Sequence, residues 1–161
     1  MTAESGDGRE KTGTFLVTHA DAESAVLRDV HDAEVHTIEG DLEVVVGDVL
    51  EATLVAEPPM EVVWRTTAVE DRRTIPVEES PESPTTLARD LAADQAVGEV
   101  TTRERAGEGE LHVLTVPADR TEAAVADVLA DEETIARAAR LGVSRVEIRA
   151  DDGVVSVRYL P

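Results

Sequence analysis

His19, Asp21, His31, Asp32 and His36 fall within 18 residues of one another, and imidazole together with carboxylate binds zinc and other divalent ions at neutral pH. The spacing contains no His-x-x-x-His pair or comparable short ligand motif. In so acidic a chain any window holds carboxylates, so the group reads chiefly as surface or hydrogen-bonded histidines, with His19, Asp21, His31 and His36 as weak metal candidates only. No cofactor is implied. A nucleophilic serine needs a base within hydrogen-bond reach and a tight turn to present it, and none has that setting. Ser5, Ser80 and Ser83 lie in tail or linker sequence, Ser24 and Ser144 among polar residues, and Ser156 inside a strand pattern. The segment RAGEGEL lacks both the spacing of a dinucleotide loop and the lysine of a phosphate loop. Catalytic residues are therefore not assigned.

Two features point toward binding rather than catalysis. Trp64 is the one tryptophan; it reads first as the largest filler of an aliphatic core and second as a stacking platform for nucleotide bases. Near the end of the chain Arg145, Glu147 and Arg149 alternate along one strand, and Arg158 falls on the same face of its hairpin partner. Arginine suits bidentate contact with carboxylate or phosphate, so this face could receive an anionic partner, or its charges could be spent on Glu147 and nearby helix acids.

These residues need elements to hold them. Residues 1–12 are polar and without period and read as a disordered tail. From Gly13 the segments GTFLVTH, AVLRDV, EVHTI, GDVLEATLVA, MEVVWRTTAVE and RTIPV read as short strands. Leu50, Ala52 and Leu54 share one face opposite Glu51 and Thr53, and Val62 and Trp64 lie opposite Arg65 and Thr67. Gly40-Asp41, Gly47-Asp48, Pro58-Pro59 and Glu70-Asp71 punctuate the strands. Residues 13–77 are thus expected to form a small barrel of OB or SH3-like type; residues 20–32 fit either a strand or one to two helical turns. PVEESPESP gives an acidic, proline-rich linker at 78–83. Residues 84–161 read as a compact α+β module. Its first helix runs over about 84–94 with Ser83 as cap and Pro84 at the first position, and a hairpin follows in GEVTTRER and ELHVLTV. Two helices capped by Thr121 and Asp131 come next, the second ended by Gly142, and then SRVEIR and GVVSVRYL pair about Asp152-Gly153. In that last hairpin Val146, Ile148, Val155, Val157 and Tyr159 take the inward face. The whole chain is classed as α+β.

The chain of 161 residues can bury roughly two thirds of its unfolded surface, enough for one or two small domains without staples. It has no cysteine, which excludes disulfides, zinc thiolates and thiol catalysis. Three aromatic residues, Phe15, Trp64 and Tyr159, leave the core to Val, Leu, Ile and Ala. Acids number 35 against 15 bases, for a net charge of −20, and Lys11 is the only lysine. Acids that coat the chain while lysine almost vanishes are the pattern of a protein folded in molar salt, where a screening length of about 3 Å removes most of the self-repulsion. The scatter of the acids argues against a nucleic-acid mimic. Residues 1–83 hold 6 bases and 20 acids and residues 84–161 hold 9 and 15, so the second half is the less acidic and the better candidate for meeting a partner. The start MTAESGDGREK has no apolar segment, and no run of about 18 apolar residues occurs. A cytoplasmic location away from the membrane is expected.

The blocks GTFLVTHADAESAVLRDVHD, EPPMEV, RAGEGELHVLTVP, RTEAAV, ARLGVSRVEI and GVVSVRYLP resemble a haloarchaeal protein family, a domain of unknown function, over Lys11 to Pro161. The resemblance implies a halophilic, cytoplasmic protein and carries over no activity, ligand or site residue. The expected function is that of a non-enzymatic binding or adaptor protein with a protein partner. Association with RNA through the barrel and the arginine face is the alternative, and a small metal-dependent or hydrolytic enzyme the third reading.

Overall fold

Alternating apolar and polar positions from Glu10 onward build strands, and among the described residues ten strands and three α-helices form a mixed α+β arrangement with two sheets. The computed structural model describes residues 9–105 and 107–161. The expected tail therefore lies outside the described residues up to Gly8. Residues cluster into two compact units, divided between Thr74 and Ile75.

The first unit holds β1 (Glu10–Ala20), β2 (Ser24–Asp29), β3 (Val35–Glu39), β4 (Asp48–Ala56) and β5 (Trp64–Thr74). Their neighbour order, β1-β2-β3-β5-β4, closes on itself into a ring, because β1 is long enough to pair with β2 along one part and with β4 along another. All pairings are antiparallel except β3 with β5. Phe15, Leu27, Ile38, Leu50, Ala52, Leu54 and Trp64 fill the interior, and the alternation expected of Leu50, Ala52 and Leu54 holds.

Some expectations for this unit need correction, and the open choice at residues 20–32 is decided. The first strand starts at Glu10, not Gly13, because Glu10, Lys11 and Thr12 are carried by backbone pairing with Val55, Leu54 and Thr53. Residues 24–29 are a strand rather than helical turns: lying between β1 and β3, β2 gains ladder bonds on both sides while Ala25, Leu27 and Asp29 turn inward. Val62 lies outside β5 and is exposed, and RTIPV is no separate strand of this unit, since Arg73 and Thr74 end β5.

The second unit begins with β6 (Val77–Glu79), followed by α1 (Thr86–Ala93), β7 (Val100–Glu104), β8 (Glu110–Thr115), α2 (Thr121–Ala130), α3 (Glu132–Leu141), β9 (Arg145–Asp151) and β10 (Val154–Leu160). The sheet order is β6-β9-β10-β8-β7. Glu78 and Glu79, read as the start of a linker, instead pair in parallel with Glu147 and Ile148. A parallel edge strand needs only its backbone, so neither proline nor acidic composition prevents it.

The helix starts also shift. Thr85, not Ser83, caps α1: it has extended backbone, and its hydroxyl accepts from Ala88 N at 3.2 Å. Thr121 is the first residue of α2 and not its cap; its hydroxyl donates to Ala118 O at 2.8 Å and accepts from Gly153 N at 2.9 Å, tying the helix start to the last hairpin. Asp131 does cap α3, accepting from Glu133 N at 2.9 Å, and Gly142 ends it with φ of 76°. The β9–β10 turn forms at Asp152 and Gly153, both at positive φ.

Register divides the second sheet into two faces. Val146, Ile148, Val155, Val157 and Tyr159 are buried as expected, on the face where His112 and Leu114 meet residues of α2 and α3. Leu111 and Val113 lie on the other face, packed by Ala88 and Ala92 of α1. That second face also carries the arginines.

Candidate functional site

Arg149, Glu147 and Arg158 do converge, but on one another. Glu147 Oε1 accepts from Arg149 Nε at 2.9 Å and from Arg158 Nη1 at 2.5 Å, and Arg149 also reaches Glu82 at 3.5 Å. Burial works to raise the Glu147 pKa, yet the hydrogen bonds and charges of the two arginines outweigh it and hold the carboxyl below its ordinary range. Arg149 and Arg158 are mostly covered. Of the two readings of this face, pairing with Glu147 is the one that forms, and Arg145, exposed and without a carboxylate partner among the described residues, stands apart from the triad.

A different grouping lies toward β7. Arg103 and Arg105, two residues apart at the end of that strand, line an open groove with Arg158, Leu87, Leu111, Thr85 and Glu104, about 240 Å³ in volume. Arg103 has no carboxylate partner among the described residues, and Arg105 Nη1 donates to a main-chain oxygen, Glu108 O, at 2.7 Å. In a chain with 35 acids, Arg103 forms no ion pair among the described residues although Glu104 lines the same groove. Leu87 is half exposed at the mouth of the groove. β7 is tied to β8 by Gln95, whose amide nitrogen donates to Glu99 O, Val113 O and Thr115 Oγ1 while its oxygen accepts from Thr101 Oγ1, on the same face as Arg103. Sequence reasoning missed Arg103 and Arg105, although their i, i+2 spacing is the same signal that drew attention to Arg145 and Arg149.

In the first unit Trp64 is 7% exposed. Its ring meets His36 edge-on at 4.6 Å between centroids, and the Arg9 guanidinium lies 5.2 Å from the ring centre. Trp64 therefore sits in the core with a cation over its ring, and is ill placed to stack on a base.

The histidines and acids of the N-terminal half separate into two places. His19 and Asp21 are 3.6 Å apart and exposed at the β1–β2 turn, where Asp21 also accepts from Glu23 N and Ser24 N. Asp32 and His36, with Asp29 and Glu34, gather instead around Lys11. The ammonium lies 3.2 Å from Asp29, 2.7 Å from Asp32 and 2.9 Å from Glu34, and 3.4 Å from His36 Nε2. Accepting there leaves the proton on Nδ1, which is buried without a partner. Burial, then the charge of Lys11, lowers the His36 pKa. His31 contributes its backbone N–H to Asp29, at 2.7 Å. Among the described residues no group of three or more His, Asp or Glu could hold a metal ion, and the centre of the one dense acidic cluster is taken by an ammonium. No helix among the described residues is long and apolar enough to cross a membrane.

A family model described as "Family of unknown function (DUF5812)" matches residues 11–150, most of the chain, and the chain belongs to this family. No curated protein and no solved structure matches it.

Proposed function

We propose that the chain, as a member of that family of unknown function, is a non-enzymatic binding or adaptor protein of a salt-in haloarchaeal cytoplasm, and that its contact surface is the groove of Arg103, Arg105 and Arg158. The observation that carries this reading is the pair Arg103 and Arg105, which form no ion pair among the described residues in a chain of net charge −20 and are set beside the apolar side chains of Leu87 and Leu111. Arginine forks act at short range and apolar burial is not screened, so such a surface still works in brine.

A second reading, RNA association, draws support from the ring. Its order β1-β2-β3-β5-β4 with a single parallel pairing is one we read as an OB-type barrel, a fold used for oligonucleotides. Against it stand the buried Trp64 and the neutralised Arg149 and Arg158, and a phosphate-driven contact weakens steeply with salt. The test is capture at molar KCl with wild type and with Arg103→Ala/Arg105→Ala, identifying both protein and RNA. A defined protein recovered by the wild type and lost by the folded variant is the expected result. Salt-resistant RNA recovered in its place would move the assignment to the second reading. Replacing Arg149 and Arg158 is a poorer test, because it strands the partly buried Glu147.

The halophilic part is tested separately. With repulsion among surplus acids unscreened in dilute buffer, thermal melts should move upward continuously as KCl rises from tens of millimolar to molar. A midpoint independent of salt would remove solvent adaptation as the reason for the charge.

A further inference from the structure

We infer that β7 receives an extended, carboxylate-bearing segment of a partner protein, which joins the second sheet as a sixth strand. This rests on the reading of the Arg103–Arg105 groove as the contact surface and specifies what that surface contacts. β7 is the last strand of its sheet. The bonds from Arg105 N to Gly109 O and from Thr115 N to Glu99 O turn the backbone groups of odd-numbered residues toward β8. In an antiparallel ladder the even-numbered residues then point the other way. Val100, Thr102 and Glu104 therefore hold their N–H and C=O groups toward the open edge, a ready template for another strand.

The side chains state what that strand must carry. Arg103 lies opposite Leu111 in register, on the groove face, with Arg105 two residues on. Val100 lies opposite Leu114 on the other face and is 52% exposed. An incoming strand alternates in the same way, so acidic side chains at every second position meet Arg103 and Arg105 while the intervening apolar side chains lie on the other face, the one three positions from the acid at Arg103 covering Val100. Ladder bonds and the covered valine supply contact that salt does not screen. A second copy of this chain fits less well: paired antiparallel about Thr102, it sets Glu104 against Val100.

The test uses the full chain in molar KCl and amide hydrogen exchange, with three synthetic peptides as probes. One alternates glutamate and valine, one has lysine for glutamate, and one carries N-methyl groups on the amides that would face β7. In the free chain the amides of Val100, Thr102 and Glu104 should exchange fast and those of Thr101 and Arg103 slowly. The Glu/Val peptide should slow the three fast amides at least about tenfold, the other two peptides should not, and Arg103→Ala/Arg105→Ala should weaken binding about tenfold. If the N-methylated peptide binds equally well, strand addition is wrong while the groove reading survives. If the double variant binds like wild type, both fall. Unchanged exchange at the three amides overturns the proposal, as does their protection in a chain that sediments as a dimer, which would give the edge to a second copy.

Discussion

Lys11→Met is expected to cost the five-stranded unit about 3 kcal/mol, the low end of what breaking a buried ion pair costs. Asp29 is only 5% exposed, and without the ammonium it keeps its bonds from His31 N and Asp32 N but loses its counter-charge. Asp32 and Glu34 stand in water and add little. Trp64, the sole tryptophan, lies in this unit beside His36, so its fluorescence reports the unfolding directly. Lys11→Arg should fall between wild type and Lys11→Met, since a planar fork cannot point donors at three carboxylates and an imidazole as an ammonium does. A midpoint for Lys11→Met within about 1 °C of wild type would mean the cluster contributes nothing, given the several degrees expected per kcal/mol.

The pH dependence of the same cluster has a definite sign. Burial lowers the Lys11 pKa, but the bonds it donates to Asp32, Glu34 and Asp29 outweigh this and raise it above the ordinary 10.5. Its contribution is therefore complete below 10.5 and is lost only as pH climbs through the raised value. The Asp32 pKa is lowered by the hydrogen bond to Lys11, so its contribution is complete above 3.8 and fades as pH falls further. His36, lowered by burial and by Lys11, gives stability that is whole above 6.5 and declines as pH drops from there toward its folded value. Wild type should thus begin to weaken on the acid side just below 6.5.

Gly109→Ala is expected to be the most damaging single methyl in the second unit, by about 3 kcal/mol or more. A Cβ at this position would collide with the carbonyl oxygen of Tyr159, a backbone atom of β10 that cannot swing aside, and the residue has φ of 95°. Gly107 has nearly the same φ, 96°, but open space around its missing Cβ, so Gly107→Ala should cost only about 1 kcal/mol. Comparing the two by circular-dichroism melts isolates the close approach from the backbone conformation; equal losses would remove it. Because Arg105 N bonds Gly109 O and the Arg105 side chain bonds Glu108 O, Gly109→Ala should also disable the groove.

Sequence by itself determined what is decided within a few residues. Asp131 and Gly142 bound their helix, Asp152-Gly153 turns the last hairpin, and Val146, Ile148, Val155, Val157 and Tyr159 face inward, because caps, positive φ and the two-residue period are local properties of backbone and side chain. It also supplied the acidic composition and the family resemblance. Only the tertiary structure decided the partners. That Glu147 stands between Arg149 and Arg158, that Glu78 and Glu79 join a sheet through residues almost 70 positions away, and that Lys11 draws Asp29, Asp32, Glu34 and His36 around itself all depend on which strands become neighbours. Alternation tells which side chains share a face, but a face is exposed, neutralised or open only once its neighbours are in place. For that reason alternation left Arg149 and Arg158 open between a partner and Glu147, and only the fold pairs both with Glu147 while Arg103 and Arg105, with the same spacing, face a groove without an ion pair among the described residues.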